Sequence, residues 1–302
     1  MAFKTNVLIT GASGFLGSAV RKAFLASPDT YNVLSLSYTQ TGDGFTQLDL
    51  TDSAKVAQVF KDFKPQWILH LAAERRPDEA EKNPEGTRKL NADVPGALAS
   101  VASEIGATIV YVSTDYVFDG SAPPYIPSSP TNPLQTYGVT KRDGEISVLA
   151  ADGANAVVLR VPVLYGPAKS NSDSAVNILL DVVNDQSGKI YKMDHWATRF
   201  PTNTVDIAHF LVRLTHFNGQ IPPIVHYSAG EPFTKYEMCL IFSKILGLSH
   251  EHIVADSAAP AGAGTSRPQN TQLATTETEA LGIEGGLGLS LFEEWWTQHL
   301  KQ

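Results

Sequence analysis

Tyr137 and Lys141 stand four residues apart in a stretch that reads as a helix, so their side chains project from one face. A phenol, with an ordinary pKa near ~10, becomes a usable acid or base when a neighbouring ammonium stabilises the phenolate. Thr114 ends an apolar run, where its hydroxyl could hydrogen-bond a substrate carbonyl. Taken alone, Tyr and Lys at this spacing more often describe a solvated helix face. A second constellation lies at the N-terminus. The run Gly11-Ala12-Ser13-Gly14-Phe15-Leu16-Gly17 joins the apolar stretch Val7–Thr10 to a helical one. One glycine allows the tight turn, one lets the backbone approach a pyrophosphate, and one lets helix and strand pack closely. The helix N-terminus offers unpaired N–H groups and a partial positive charge to phosphates. Glycine triplets also serve ordinary turns. This one lies between the first strand and first helix of an alternating chain, the context that points to a dinucleotide.

The end of the second strand chooses between cofactors. An Asp or Glu ~20 residues after the glycines would bind the ribose 2′-hydroxyl of NAD. Here Ser35-Leu36-Ser37-Tyr38-Thr39-Gln40 contains no acid, which removes repulsion against a 2′-phosphate, and no Arg that would clamp one. NADP(H) is favoured over NAD(H), with Ser37 at the ribose. Asp49, next to Leu50, could accept from the adenine amino group; its alternative is a helix cap, a role that suits Asp52 better.

These residues need a frame, and the chain supplies one. Strands read at Val7–Thr10, Asn32–Leu36, Trp67–Ala72, Thr108–Ser113 and Ala156–Leu164. Helices read at Phe15–Ala26, Ser53–Phe63, Ala92–Ile105 and Leu134–Ala150. The expected fold is α/β: a doubly wound parallel sheet of Rossmann type, with a smaller C-terminal α/β lobe. The division expected is 1–166 with 203–228 for the dinucleotide-binding part, and 167–202 with 229–302 for the smaller lobe. Ser121–Pro133, rich in proline, and Asp256–Asn270, rich in Ala, Gly and Pro, read as loops. The chain has 302 residues, a net charge of −8 and 43% hydrophobic content. Such an acidic surface is a poor partner for nucleic acid or an anionic membrane. No run approaches the ~18 apolar residues of a membrane span. The first strand begins almost at once, which leaves no room for a signal peptide, so the expected compartment is the cytosol. The single cysteine, Cys239, reads as a buried thiol. No Cys/His spacing supports a metal site.

In this order, the glycine loop, Thr114 and Tyr137-x-x-x-Lys141 resemble the extended short-chain dehydrogenase/reductase superfamily over essentially the whole chain. The resemblance implies that Tyr137 is the proton donor or base, that Lys141 binds the nicotinamide ribose and tunes it, and that Thr114 polarises the substrate. Ser113-Thr114-Asp115-Tyr116-Val117-Phe118-Asp119-Gly120, Arg267-Pro268-Gln269-Asn270 and Asn91 are similar to the dTDP-4-dehydrorhamnose reductase group. Two longer runs point more narrowly. Ala72-Ala73-Glu74-Arg75-Arg76-Pro77-Asp78 and Met193-Asp194-His195-Trp196-Ala197-Thr198-Arg199-Phe200-Pro201-Thr202 resemble the regulatory β-subunit family of methionine adenosyltransferase, as does Thr234-Lys235-Tyr236-Glu237-Met238. That resemblance implies an NADP-binding reductase fold whose partner is the catalytic subunit that makes S-adenosylmethionine, with the C-terminal tail in the contact. The tail Trp295–Gln302 matches loosely, and the family's basic residues after the second strand are missing. The other expectation is an active reductase of a 4-keto nucleotide sugar.

Ala72, Ala73 and Asn91 join the expected cofactor contacts, with Tyr137 and Lys141 at the nicotinamide end. Arg75, Arg76, Asp115, Tyr116, His195, Trp196 and Arg199 are the expected substrate or partner contacts. Arg75 and Arg76 follow a strand end and could hold an anion or a partner carboxylate, or form a surface ion pair. Asp194, His195 and Trp196 could wall the substrate or simply brace the smaller lobe. His70 reads as a core histidine. Trp295 and Trp296 read as packing the last helix down, with partner anchoring as the alternative.

Overall fold

The computed structural model describes residues 3–260 and 265–301; part of the expected Asp256–Asn270 loop, residues 261–264, lies outside them. The first half runs β1 (Thr5–Thr10), α1 (Phe15–Leu25), β2 (Tyr31–Ser37), β3 (Phe45–Gln47), α2 (Ser53–Phe63) and β4 (Trp67–His70). Then come α3 (Pro77–Lys82), α4 (Pro84–Arg88), α5 (Val94–Glu104), β5 (Thr108–Thr114), α6 (Thr136–Leu149) and β6 (Asn155–Val161). The rest is β7 (Leu164–Tyr165), α7 (Leu179–Asn184), β8 (Tyr191–Asp194), β9 (Thr202–Asn203), α8 (Thr204–His216) and β10 (Ile224–His226), then α9 (Lys235–Leu246), β11 (Ile253–Asp256), α10 (Thr276–Glu279) and α11 (Phe292–His299).

Seven strands form one sheet in the order β10-β6-β5-β4-β1-β2-β3, and every pairing is parallel. Successive strand residues face opposite sides, and β1 shows what that does here. Val7 and Ile9 join Val20 and Phe24 of α1 and Phe210 and Leu211 of α8. Leu8 joins Val56 and Phe60 of α2 and Leu98 and Ala102 of α5. Both faces are covered, so the sheet is doubly wound. The chain leaves β1 towards β2 and β3, then crosses back to β4 on the other side. The crevice at the carboxyl ends of β1 and β4 is therefore where such a sheet takes ligands.

A further apolar cluster gathers Leu180 and Val183 of α7, Met238, Cys239 and Phe242 of α9, and Phe292 and Trp296 of α11. Cys239 is buried, as expected. Beside this cluster β8 pairs with β11. Asp52 caps α2, accepting from Lys55 N at 3.1 Å.

Several boundaries differ from the sequence reading. The Trp67 strand stops at His70, and Leu71–Arg76 leaves as a loop. The Ala156 strand stops at Val161, because Pro162 has no N–H for the ladder. The Ala92 helix proper begins at Val94, after a π-helical turn at Lys89–Asp93, and the Leu134 helix begins at Thr136. Strand β3 was not expected; three residues are too few to show a period. Among the described residues no helix is long and apolar enough to cross a membrane, and no group of three or more His, Cys, Asp or Glu could hold a metal ion.

Candidate active site

The glycine loop sits at the crevice. Gly11 has φ +63°, and a Cβ there would come within 2.8 Å of Ala72 N and Cα. Loop and β4 tip can touch only with glycine at this position. Gly17 packs so closely on Gly11 O that a side chain there would displace the turn. Thr10 staples the two strand tips. Its hydroxyl lies 2.7 Å from His70 Nδ1 and accepts from Leu71 N at 3.1 Å and Ala72 N at 3.3 Å. His70 is the core histidine expected, its pKa pushed down to about 3 by burial and then by Lys141. Gly14 is exposed at the start of α1, and the first turn of α1 carries no acid. The helix end is thus open to an anion, with Phe15 and Leu16 half-buried behind it. Around the rim, Ser13 Oγ and Ser37 Oγ are 2.9 Å apart. Ala72, Ala73 and Leu50 are half-buried, and Asp49 is exposed with Oδ1 held by Thr51. These residues fit a dinucleotide.

Asn91 is fully buried. Its amide accepts from Glu74 N and donates to Glu74 O, both at 2.9 Å, so it holds the loop after β4 rather than reaching the crevice.

Gln135 caps α6, accepting from Gly138 N at 2.9 Å, and so sets the first turn that carries Tyr137. Tyr137 is half-buried. Burial raises its pKa well above the usual phenol range, while the Thr114 hydroxyl and, more weakly, the charge of Arg75 oppose the rise. Lys141 stands one turn further along α6. The ammonium is buried, donates to Val112 O at 2.7 Å and sits 3.8 Å from the Tyr111 ring centre. Burial lowers the Lys141 pKa to about 7, against an upward pull from Glu145. The unfolded chain, with an ordinary value of 10.5, then binds more protons above neutrality, so stability rises with pH through that window. Denaturation of the ligand-free protein between pH 7 and 9.5 should show this rise, and Lys141→Met should flatten it. Equal slopes for the two proteins would refute the assignment.

Asp115 was expected to face substrate and does not. It is 3% exposed; one oxygen accepts from Thr114 Oγ1 at 3.1 Å and the other from Thr271 Oγ1. Burial raises its pKa to about 6, opposed mainly by the Thr271 bond and the charge of Arg199. Asp115 therefore orients Thr114. Tyr116 is half-buried, its ring edge-on to Tyr137 with centroids 6.3 Å apart. Arg199 is buried, donates to Thr198 O at 2.8 Å, and lies 5.7 Å from the Tyr116 ring centre. Arg75 is exposed. Arg76 pairs with Glu74 at 3.3 Å, the surface ion pair weighed above. His195 Nδ1 lies 2.9 Å from Thr234 Oγ1, at the cap of α9, and Asp194 Oδ1 accepts from Trp196 N at 2.9 Å. His195 and Asp194 thus brace their own segment, with Trp196 half-buried beside them. Two residues given no role by the sequence reading belong here. Arg267 pairs with Asp78 at 3.0 Å, and the charges of Arg267 and Arg199 reach Lys235, whose pKa burial lowers first.

The family model for the RmlD substrate binding domain matches residues 5–291. Methionine adenosyltransferase 2 subunit beta of Xenopus tropicalis is 45% identical over 281 residues, 92% of this chain and 83% of that protein. The chain belongs to the RmlD-type family, in its methionine adenosyltransferase subunit beta group. Among solved structures, the dTDP-4-dehydrorhamnose reductase of Bacillus anthracis in complex with NADP superposes with a TM-score of 0.85 at 24% identity, covering 99% of this chain and 100% of that one. Bordetella bronchiseptica WbmG in complex with NAD gives 0.80 at 21%, covering 99% and 94%. These two likenesses establish the fold of this subunit beta relative.

Each of the two runs that carried the narrower resemblance puts an arginine near one of the paired rings Tyr116 and Tyr137. The charge of Arg75, from the first, weakly favours the Tyr137 phenolate; Arg199, from the second, lies 5.7 Å from the Tyr116 ring centre. The tail is different. Trp296 is 1% exposed, and its ring stacks on Tyr165 with centroids 5.7 Å apart. Trp296 is a core residue and not a partner anchor; Trp295 is half-buried beside it, 5.3 Å from the Tyr165 ring.

Proposed function

We propose that this chain is an NADP(H)-binding regulatory subunit of methionine adenosyltransferase, the enzyme that makes S-adenosylmethionine. The observation that carries the reading is the 39–45% identity to named subunits beta, supported by Arg75 and Arg199, one from each of the Ala72–Asp78 and Met193–Thr202 runs, beside the Tyr137 and Tyr116 pair. Gly11, Ser13, Gly14, Phe15, Leu16 and Gly17 would hold the diphosphate, Ser37 and Asp49 the adenosine, and Ala72, Ala73, Tyr137 and Lys141 the nicotinamide half. NADP(H) is favoured over NAD(H) because no carboxylate stands at the ribose. Dinucleotide in the crevice would order the Arg75 and Arg199 walls relative to each other. A partner that prefers the ordered form would bind tighter with NADP present, and NADP would bind tighter with the partner. Co-expressed with a methionine adenosyltransferase catalytic subunit, the chain should sediment as a complex that NADP strengthens. No complex at micromolar concentration, with or without NADP, would overturn the reading.

One observation favours a second activity on the same site. Thr114, Tyr137 and Lys141 are all present in the chain, with the Thr114 hydroxyl on Tyr137, which a scaffold does not require. With NADPH supplying a hydride, Tyr137 is placed to give a proton to a substrate oxygen and Thr114 to hydrogen-bond it, as in reduction of a 4-keto nucleotide sugar.

A further inference from the structure

The smaller lobe holds a cleft of its own, about 210 Å³, between α7, α9 and the end of α11. Leu180, Leu246 and Leu300 make its apolar sides, and no Asp, Glu, Lys or Arg lines it. Asn177 and Trp296 line it as well, and they are 3% and 1% exposed. Each brings one polar atom that meets no partner in the fold: the acceptor Asn177 Oδ1 and the donor Trp296 Nε1. The rest of both side chains is fixed. Asn177 Nδ2 donates to Gly166 O at 2.8 Å. The Trp296 ring stacks on Tyr165 and meets Phe242 edge-on, with centroids 5.0 Å apart. Tyr165 OH, Asn203 Nδ2 and Thr204 Oγ1 are also buried without partners. Gly166 ties this group to the cleft: it takes the Asn177 bond, and a Cβ on it would run into Thr204 Oγ1. Buried polar atoms in native folds are nearly always paired, so five unmet ones gathered at one cleft point to an occupant.

The lining limits what that occupant is. It is neutral, because an ion there would be buried without a counter-charge. An apolar cavity of ~150 Å³ accepts benzene, so this volume takes one or two rings. Leucine sides suit the face of a ring. The unmet donor and acceptor suit a ring edge that carries a nitrogen lone pair and an N–H, and a purine base has both. We propose that this cleft binds a neutral purine, with an N–H of its edge given to Asn177 Oδ1 and a ring nitrogen accepting from Trp296 Nε1. The site stands apart from the dinucleotide crevice and does not depend on it.

Nuclear magnetic resonance on the full chain tests it. The Trp296 indole N–H gives its own proton–nitrogen peak, identified by its loss in Trp296→Phe. Adenine and adenosine are titrated separately, with NADP+ in excess to fill the crevice. The Trp296 peak should move for at least one of them, with a Kd below about 1 mM. Tighter binding of adenosine would make a nucleoside the source of the base; tighter binding of adenine, the free base. Trp296→Phe keeps a ring in place and should weaken the purine about tenfold, followed on the backbone peaks of α7 and α9. Indole has a donor but no acceptor nitrogen, and should bind the parent at least about tenfold more weakly. Ala168→Trp, at an exposed position on the rim, should abolish the shift in a protein that melts like the parent. A Trp296 peak that stays still up to the solubility limit of both ligands leaves water as the occupant and overturns the proposal. So does a shift that survives Ala168→Trp, or one that indole reproduces at the same concentration.

Discussion

Replacing Glu145 by alanine should lower the folding free energy by about 3–5 kcal/mol, because it breaks a buried ion pair from one side. Arg160 Nε and Nη2 donate to the two Glu145 oxygens at 2.9 and 2.7 Å, and the side chains are 3% and 4% exposed. The guanidinium also donates to Pro127 O at 3.1 Å. Without the carboxylate a cation stays in the interior with part of its hydrogen bonding unmet. Changing both residues to methionine removes the charge along with its partner and should cost far less. Glu145 follows Tyr137 and Lys141 at successive turns of α6, so the single variant should also weaken dinucleotide binding. Urea denaturation followed by circular dichroism measures the first effect; a loss below about 1 kcal/mol would contradict a buried pair of this kind.

Tyr137→Phe should cut any ketone reduction by about 10²–10⁴-fold, the usual contribution of a general acid, and leave folding close to the parent's. Burial holds the phenol above its usual range, so at neutral pH it carries the proton that such a reaction needs. The direct assay is NADPH oxidation with dTDP-4-dehydrorhamnose. A parent protein that does not turn over ends the reductase reading and leaves the regulatory one. A variant that keeps the full rate removes Tyr137 from the chemistry.

Local pattern made much of this molecule readable. The glycine turn between β1 and α1, the apolar strand runs, the Asp52 cap and the buried Cys239 all follow from short-range rules. The long-range contacts did not show. Nothing near Glu145 in the chain announces Arg160, and nothing near Asp115 announces Thr271, so Asp115 read as a substrate contact when it is an internal support. Arg267 stood in a recognised run, but its partner Asp78 comes from the first turn of α3, far away in the chain. The shift on Lys141 depends on its burial, opposed by the charge of Glu145, and only folding imposes that burial.

The order of elements has a cost during synthesis. The edge of the sheet at β6 is closed by β10, and Ile207, Phe210, Leu211 and Leu214 of α8 cover the cluster that holds Val20 and Phe24. Both closing pieces are made late. When β6 leaves the ribosome, its hydrogen-bonding edge and the apolar face beside α1 stand open until Ile224–His226 follow, a delay of several seconds at ~5–20 residues per second. An open parallel edge beside uncovered apolar surface is what chaperones bind and what aggregates recruit. Yield in a cell-free system should therefore depend on chaperone supply more steeply than the finished fold's burial would suggest.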